Sequence, residues 1–227
     1  AEASADALAA ALDHTDMLFL SAGMGGGTGT GATPVLARLA REKDILTVAI
    51  VSKPFRFEGR QRTRKAEAGL ARLREFVDTL IVISNDRLLD AVGRKTSLVD
   101  AFAVTNDILA LSVKSISGLI STPGLINVDF ADIRSVMRQK GSAVMGVARA
   151  KGENRAIEAV KKASSSSLLD KVAIDGARGA LVCITGGPDL TLFEIDEAMS
   201  QIYESIDEDS DIIFGAVVDE NVGDQIQ

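Results

Sequence analysis

At 227 residues the chain is long enough for one large or two modest domains with a real core. Its 25 basic and 32 acidic residues leave a net charge of −7, which argues against nonspecific binding to nucleic acid or to an anionic membrane as the main role. The single cysteine, Cys183, rules out an internal disulfide and fits a reducing cytoplasm; aromatics at 4% without Trp give no stacking platform for single strands; and no apolar run reaches about 18 residues, so no transmembrane helix is expected.

Residues 1–12 are alanine-rich and helical in propensity, with no signal peptide read there. The lone His14 is read as solvated or capping. Residues 16–20, Asp-Met-Leu-Phe-Leu, form a short apolar run that predicts a buried strand. Next comes Ser21-Ala22-Gly23-Met24-Gly25-Gly26-Gly27-Thr28-Gly29-Thr30-Gly31, and residues 32–42 then carry helical apolar spacing at Val35, Leu36, Leu39 and Ala40. The glycines therefore sit where a strand turns into a helix. Glycine tolerates positive φ and lets the backbone approach a ligand. The N–H groups and positive dipole end of the following helix favour an anion, and two threonine hydroxyls add donors. The stretch reads as a phosphate cradle, the alternative being a mobile surface loop. It is not a Walker A motif, since no Gly-Lys-Ser/Thr follows. Gly27-Thr28-Gly29-Thr30-Gly31-Ala32 fits the looser dinucleotide pattern. The acid which that pattern expects at the end of the next strand is absent, because the strand ends Val51-Ser52-Lys53.

Residues 45–51 predict a second buried strand, 57–76 a long polar helix with apolar points at Ala66, Leu70 and Leu73, and 78–84 a third strand. Apolar strands alternating with helices predict a parallel sheet with right-handed crossovers. Ligands in such sheets sit outside the carboxyl ends of the strands. The glycine loop, Phe55-Arg56-Phe57-Glu58 and Ser84-Asn85-Asp86 all fall at such ends. Residues 97–121 predict the longest helix, with Ser97 as N-cap and Pro123-Gly124 as stop. It is apolar nearly all round, so it is expected to be buried, running between two domains. Beyond it the pattern predicts a helix from 127 to about 139, a strand at 143–150, a helix at 154–163, a strand at 180–185, a helix at 191–206 and a strand at 211–218. Ser164 to Ser167 is a short polar connector, Cys183 reads as core, and residues 221–227 are read as having no partner element after them. The fold class is α/β: a parallel Rossmann-like sheet over 1–96, a central helix over 97–121 and a smaller α/β domain over 122–227.

Three constellations carry chemistry. Residues 53–74 hold eight basic side chains, and within them Glu58 and Arg62 are four apart, the spacing of an exposed helical ion pair. They either form that solvated face or reach over the rim to a ligand. Phe102 and Asn106 are also four apart. Phe102 alone reads as core, but a mid-helix Asn is unfavourable and needs a partner, and an aromatic face beside an amide suits a purine. Asp129 and Asp132 resemble a capping box or a pair of carboxylates placed for proton or charge chemistry. Nothing has metal-cluster spacing.

Gly-Gly-Gly-Thr-Gly-Thr-Gly after a strand resembles the signature loop of the tubulin/FtsZ superfamily. Ser21-Ala22-Gly23-Met24 and Lys53-Pro54-Phe55-Arg56-Phe57-Glu58-Gly59 resemble the FtsZ branch rather than tubulin. Gly124-Leu125-Ile126-Asn127-Val128-Asp129-Phe130-Ala131-Asp132 resembles that branch's synergy loop. The resemblance runs from about residue 16 to the C-terminus. It implies a cytoplasmic, GTP-binding and GTP-hydrolysing cytoskeletal protein at the division site, polymerising with itself and meeting other division proteins, without nucleic acid or direct membrane contact. It implies GTP or GDP as cofactor, with Mg2+ or a monovalent cation at the phosphates. By the same resemblance Gly25, Gly26, Gly27, Thr28 and Gly29 hold the phosphates, and Glu58 and Arg62 contact the sugar. Phe102 stacks on the guanine, Asn106 and Asn85 hydrogen-bond it, and Asn127, Asp129 and Asp132 orient and polarise the attacking water. Ser84 and Ser167 stand where the family commonly has Pro. Against the family both ends are short, lacking the opening elements with the first glycine-rich loop and the last strand of the second domain, so a fragment is expected.

Helix length bears on the mechanism. From Asn106 to Ser121 is about 15 residues, or roughly 22 Å, whereas a carboxylate must come within about 3 Å of its water. The acid loop is therefore expected to serve the nucleotide of the next molecule, a heterologous contact that builds an open filament. The competing readings are a non-hydrolysing structural homologue and an NAD-type Rossmann enzyme, the latter opposed by the missing ribose acid.

Overall fold

The computed structural model describes residues 1–91, 96–122, 124–139, 141–165, 177–207 and 209–227. The stop read at Pro123 and the connector residues Ser166 and Ser167 lie outside them. The chain divides into two units, one of Ala1–Val113 with Met137–Ala143, the other of Lys114–Val136 with Val144–Gln227.

The first unit is built on a parallel sheet in the order β1-β2-β3-β4: Met17–Gly23, Leu46–Lys53, Thr79–Ser84 and Gly141–Ala143. β2 is buried at every residue but its last, as a continuous apolar run between two parallel neighbours requires. α1 (Ala5–Ala11) packs with α2 (Thr28–Glu42) around Leu12, Val35, Leu39 and Ile45. α3 (Arg60–Phe76) places Ala66, Leu70 and Leu73 in a core with Ala37 of α2 and with Leu20, Ala49, Val51 and Leu80 of the strands. Each large aliphatic side chain fully buried there is worth roughly 1.5–3 kcal/mol before entropy is counted. A Cβ on Gly69 of α3 would collide with Thr30 of α2 and come within 2.9 Å of Met24 Cε, so this glycine sets how closely the two helices pass. α4 (Asn85–Ala91) follows β3 without a spacer.

α5 (Leu98–Ser121) is one continuous helix. Ser97 caps it, its hydroxyl oxygen accepting from Asp100 N at 3.1 Å. Its buried residues Ala101, Thr105, Leu109, Ser112, Ile116 and Leu119 recur at threes and fours, one stripe only, while Leu98, Val99, Phe102 and Ile120 are exposed. The expectation of burial all round is thus corrected: apolar side chains show what can be covered, not that a neighbour covers it. By length and composition alone α5 is long and apolar enough to cross a membrane, although Asp100, Asp107 and Lys114 interrupt its apolar run, so the reading that no such run reaches about 18 residues stands. A core helix in water passes the same test.

The second unit contains α6 (Phe130–Met137, whose last residue belongs to the first unit), α7 (Arg155–Ser164), α8 (Leu192–Tyr203) and a mixed sheet. That sheet has the order β5-β8-β6-β7: Ala150–Lys151, Gln225–Ile226, Gly179–Gly186 and Asp211–Val218. β6 and β7 are parallel, and β8 runs antiparallel to β5 and β6. Two expectations change here. The strand read at 143–150 is two short strands in different sheets, because the ladder partners at its two ends are Thr79–Ile81 and Gln225–Ile226. The C-terminal residues, read as having no partner element after them, find their partners earlier in the chain and supply β8 between β5 and β6.

Candidate functional site

β1, β2 and β3 end on one rim of the first unit, and their registers bring the glycine stretch, Lys53–Glu58 and Asn85 to it: Gly23 lies beside Ser52 and Lys53 beside Ser84. α2 begins at Thr28, four residues earlier than its periodicity indicates, so Thr28, Gly29 and Thr30 form its first turn. First-turn N–H groups have no intrahelical acceptor and carry the positive end of the dipole. Gly26, Gly27 and Thr28 are exposed. Gly25 has φ +101°, and a Cβ there would come within 2.9 Å of Arg62 O and 3.3 Å of Pro54 Cγ. Only glycine suits that position. Thr30 Oγ1 accepts from Gly25 N at 2.8 Å, so this hydroxyl braces the loop while Thr28 faces solvent.

Glu58 and Arg62 pair with each other at 3.1 Å, Glu58 largely buried and Arg62 half exposed. The second carboxylate oxygen of Glu58 accepts from Phe55 N at 2.8 Å. Phe55, fully buried, stacks on exposed Phe57 at 4.9 Å and meets Phe102 edge-on at 5.2 Å, which ties the start of α5 to the rim. Phe102 is 39% exposed, leaving part of its ring free to pack against a ligand. Asn106, one turn further along α5, is exposed. Asn85 is buried, and its Oδ1 has no hydrogen-bond partner among the described residues. A buried acceptor left empty costs about 1–3 kcal/mol unless a ligand fills it.

The periodicity does not reveal what joins the second and third strand ends. Asp86 accepts from Arg56 N at 3.0 Å and forms an ion pair with Arg56 Nε at 3.2 Å. The signal was an opposite-charge pair just beyond Lys53 and Ser84, which the sheet register sets side by side.

Asn127, Asp129 and Asp132 lie on the second unit and are all exposed. Asn127 Oδ1 accepts from Gly124 N at 2.8 Å, closing the loop. Asp129 Oδ1 accepts from Ala131 N at 3.1 Å, so Asp129 caps α6. The carboxylate of Asp132, in the first turn, makes no hydrogen bond or ion pair among the described residues. No cluster able to hold a metal ion occurs among them either.

Residues 1–93 match the model of the tubulin/FtsZ family GTPase domain, and residues 141–227 that of the FtsZ family C-terminal domain. The cell division protein FtsZ of Bartonella bacilliformis is 53% identical over 214 residues, 93% of this chain and 36% of that protein. Two solved FtsZ structures from M. jannaschii, one a mutant form and one an empty dimer, each give a TM-score of 0.95 at 44% identity. They cover 99% of this chain and 67% and 65% of theirs. The chain thus spans about a third of that curated relative and two thirds of the solved chains.

Proposed function

Since the chain belongs to the FtsZ branch of the tubulin/FtsZ family, we propose that it binds GTP at the rim of its first unit and, in the full-length protein, assembles head-to-tail into filaments of the cell-division ring. Residues 1–96 hold the nucleotide, 97–121 carry the connecting helix, and 122–227 bring the acid loop. The phosphates lie on the N–H groups of Gly25, Gly26, Gly27, Thr28 and Gly29. A Mg2+ or monovalent cation accompanies them and offsets their charge. Glu58 and Arg62 exchange their mutual pairing for the ribose, and Phe102 packs against the guanine with Asn106 at its edge. The observation that carries this reading is the empty Oδ1 of buried Asn85, an acceptor for the N–H groups that guanine presents and adenine lacks at the same edge.

Asn127, Asp129 and Asp132 act on the γ-phosphate held by the next copy. Support comes from the loop itself: all three side chains are exposed, and the Asp132 carboxylate makes no hydrogen bond or ion pair among the described residues. The complete site then exists only between two copies, in the cytoplasm at the division site.

Arg62→Ala in the full-length protein is expected to weaken GTP affinity about tenfold, the loss of one charge-assisted contact. Equilibrium binding of a fluorescent GTP analogue measures it, and unchanged affinity returns Arg62 to a solvated ion pair with Glu58. Pelleting of the full-length protein in GTP but not in GDP tests the assembly itself.

A further inference from the structure

We propose that Arg60, Arg64 and Lys65 on α3 steer the nucleotide anion to the rim, speeding its arrival without touching it once bound; this rests on the phosphate role given to the glycine loop above. The charge of the chain is unevenly placed. Residues 53–74 hold eight basic and two acidic side chains, whereas the remaining residues hold 17 basic and 30 acidic. An approaching polyanion is repelled by the chain as a whole and attracted by this stretch. Within it the carboxylates are already taken. Glu58 pairs with Arg62 at 3.1 Å and Glu67 with Lys53 at 2.7 Å, and Asp86, just beyond β3, pairs with Arg56 at 3.2 Å. Arg60, Arg64 and Lys65 are exposed, and their side chains make no hydrogen bond or ion pair among the described residues. Their charge is therefore left for an incoming anion.

The same helix lies directly against the cradle. A Cβ on Gly25 would come within 2.9 Å of both Arg62 Cγ and Arg62 O, and seven residues further along α3 a Cβ on Gly69 would meet Thr30 and Met24. Arg64 and Lys65 fall between these two points, and Arg60 precedes the first by two residues, about 3 Å of helix. The buried face of α3 is Ala66, Gly69, Leu70 and Leu73, so the three cations stand clear of it, about one helix diameter or 10–12 Å from the glycine loop. That is close to the Debye length of about 10 Å at 0.1 M salt. Charges at such a range raise the rate of encounter, while the rate of departure is set by the groups in contact. Arg62, which pairs with Glu58 at the rim, belongs to the second kind.

The test is stopped-flow binding of a fluorescent GDP analogue to the full-length protein, which gives association and dissociation rates separately. One variant combines Arg60→Gln, Arg64→Gln and Lys65→Gln. A second combines Arg41→Gln, Lys43→Gln and Arg74→Gln, which removes the same charge about 20 Å further along α2 and α3. At about 0.1 M salt the first is expected to associate about fivefold more slowly than the parent, with dissociation within about twofold, and the gap to close to under about twofold at about 1 M. The second is expected to stay within about twofold of the parent throughout. Unchanged association in the first variant overturns the proposal, as does an equal loss in both, or a loss that lies in dissociation. If the first variant does not fold, Arg64→Gln with Lys65→Gln replaces it, with an expected fall of about threefold and the same refuting results. A parent that shows no saturable binding refutes the nucleotide site itself. Binding in the parent with association untouched in the first variant refutes only the steering.

Discussion

Asp132→Ala in the full-length protein is expected to lower GTP turnover per assembled subunit at least a hundredfold, while GTP affinity stays within about twofold of the parent. The carboxylate is exposed on the first turn of α6 and makes no internal bond among the described residues, so removing it takes away no packing and no cap. The cap comes from Asp129, whose Oδ1 accepts from Ala131 N. Stability should therefore move little. Loss of turnover with binding retained is the mark of a group that acts on the reacting water and not on the bound nucleotide. Loss of affinity in step with turnover would instead place Asp132 in the nucleotide site of its own chain. Single-turnover kinetics on pelleted polymer, alongside binding to monomer, separates the two.

Arg155→Ala is expected to destabilise the second unit by about 3–5 kcal/mol. Arg155 is buried at the first position of α7. Its Nε donates to Glu194 Oε1 at 2.6 Å and Nη2 to Glu194 Oε2 at 3.2 Å, while Nη1 donates to Asp189 Oδ2 at 2.8 Å and to Asp224 O at 2.9 Å. The guanidinium thus joins the starts of α7 and α8 to the turn before β8. Bonding from Arg155 pulls the Glu194 carboxyl down to about 2, and the hydrogen bonds of the Glu194 carboxylate hold the Arg155 guanidinium still more firmly protonated than usual. Removing the arginine strands a largely buried carboxylate. Because the folded value of Glu194 is depressed below its ordinary 4.5, the stabilisation is full above about pH 4.5 and is lost as pH falls toward 2. Denaturant unfolding at neutral pH measures the cost, and a loss under about 1 kcal/mol would reduce the cluster to a solvated ion pair. Arg155→Leu combined with Glu194→Gln should recover much of it, since the one carboxylate then left without its partner, Asp189, is more than half exposed.

Local pattern made much of this legible. The nearly all-apolar run over 45–51 announced a central parallel strand, and a glycine run between strand and helix marked the rim. The four-residue spacing of Glu58 and Arg62 admitted an exposed ion pair as one of two readings, and the fold pairs them with Glu58 largely buried. What stayed hidden depends on partners far away in the chain. Residues 143–150 look like one strand because β propensity carries no record of which sheet supplies the ladder. α4 went unread because seven residues directly after a strand hold too few turns to show a period. On α5, Leu98, Val99 and Phe102 have the chemistry of buried residues yet lie exposed. Arg56 with Asp86, Thr79 with Met137 and Arg155 with Glu194 are 30, 58 and 39 residues apart, beyond any local signal.

The decisive quantity is GTP turnover per molecule of the full-length protein as its concentration is raised. If each nucleotide depends on carboxylates from a neighbouring copy, specific activity starts near zero in dilute monomer and climbs steeply once filaments form. Activity that is already full in dilute monomer and flat with concentration would mean that one chain holds the whole catalytic apparatus.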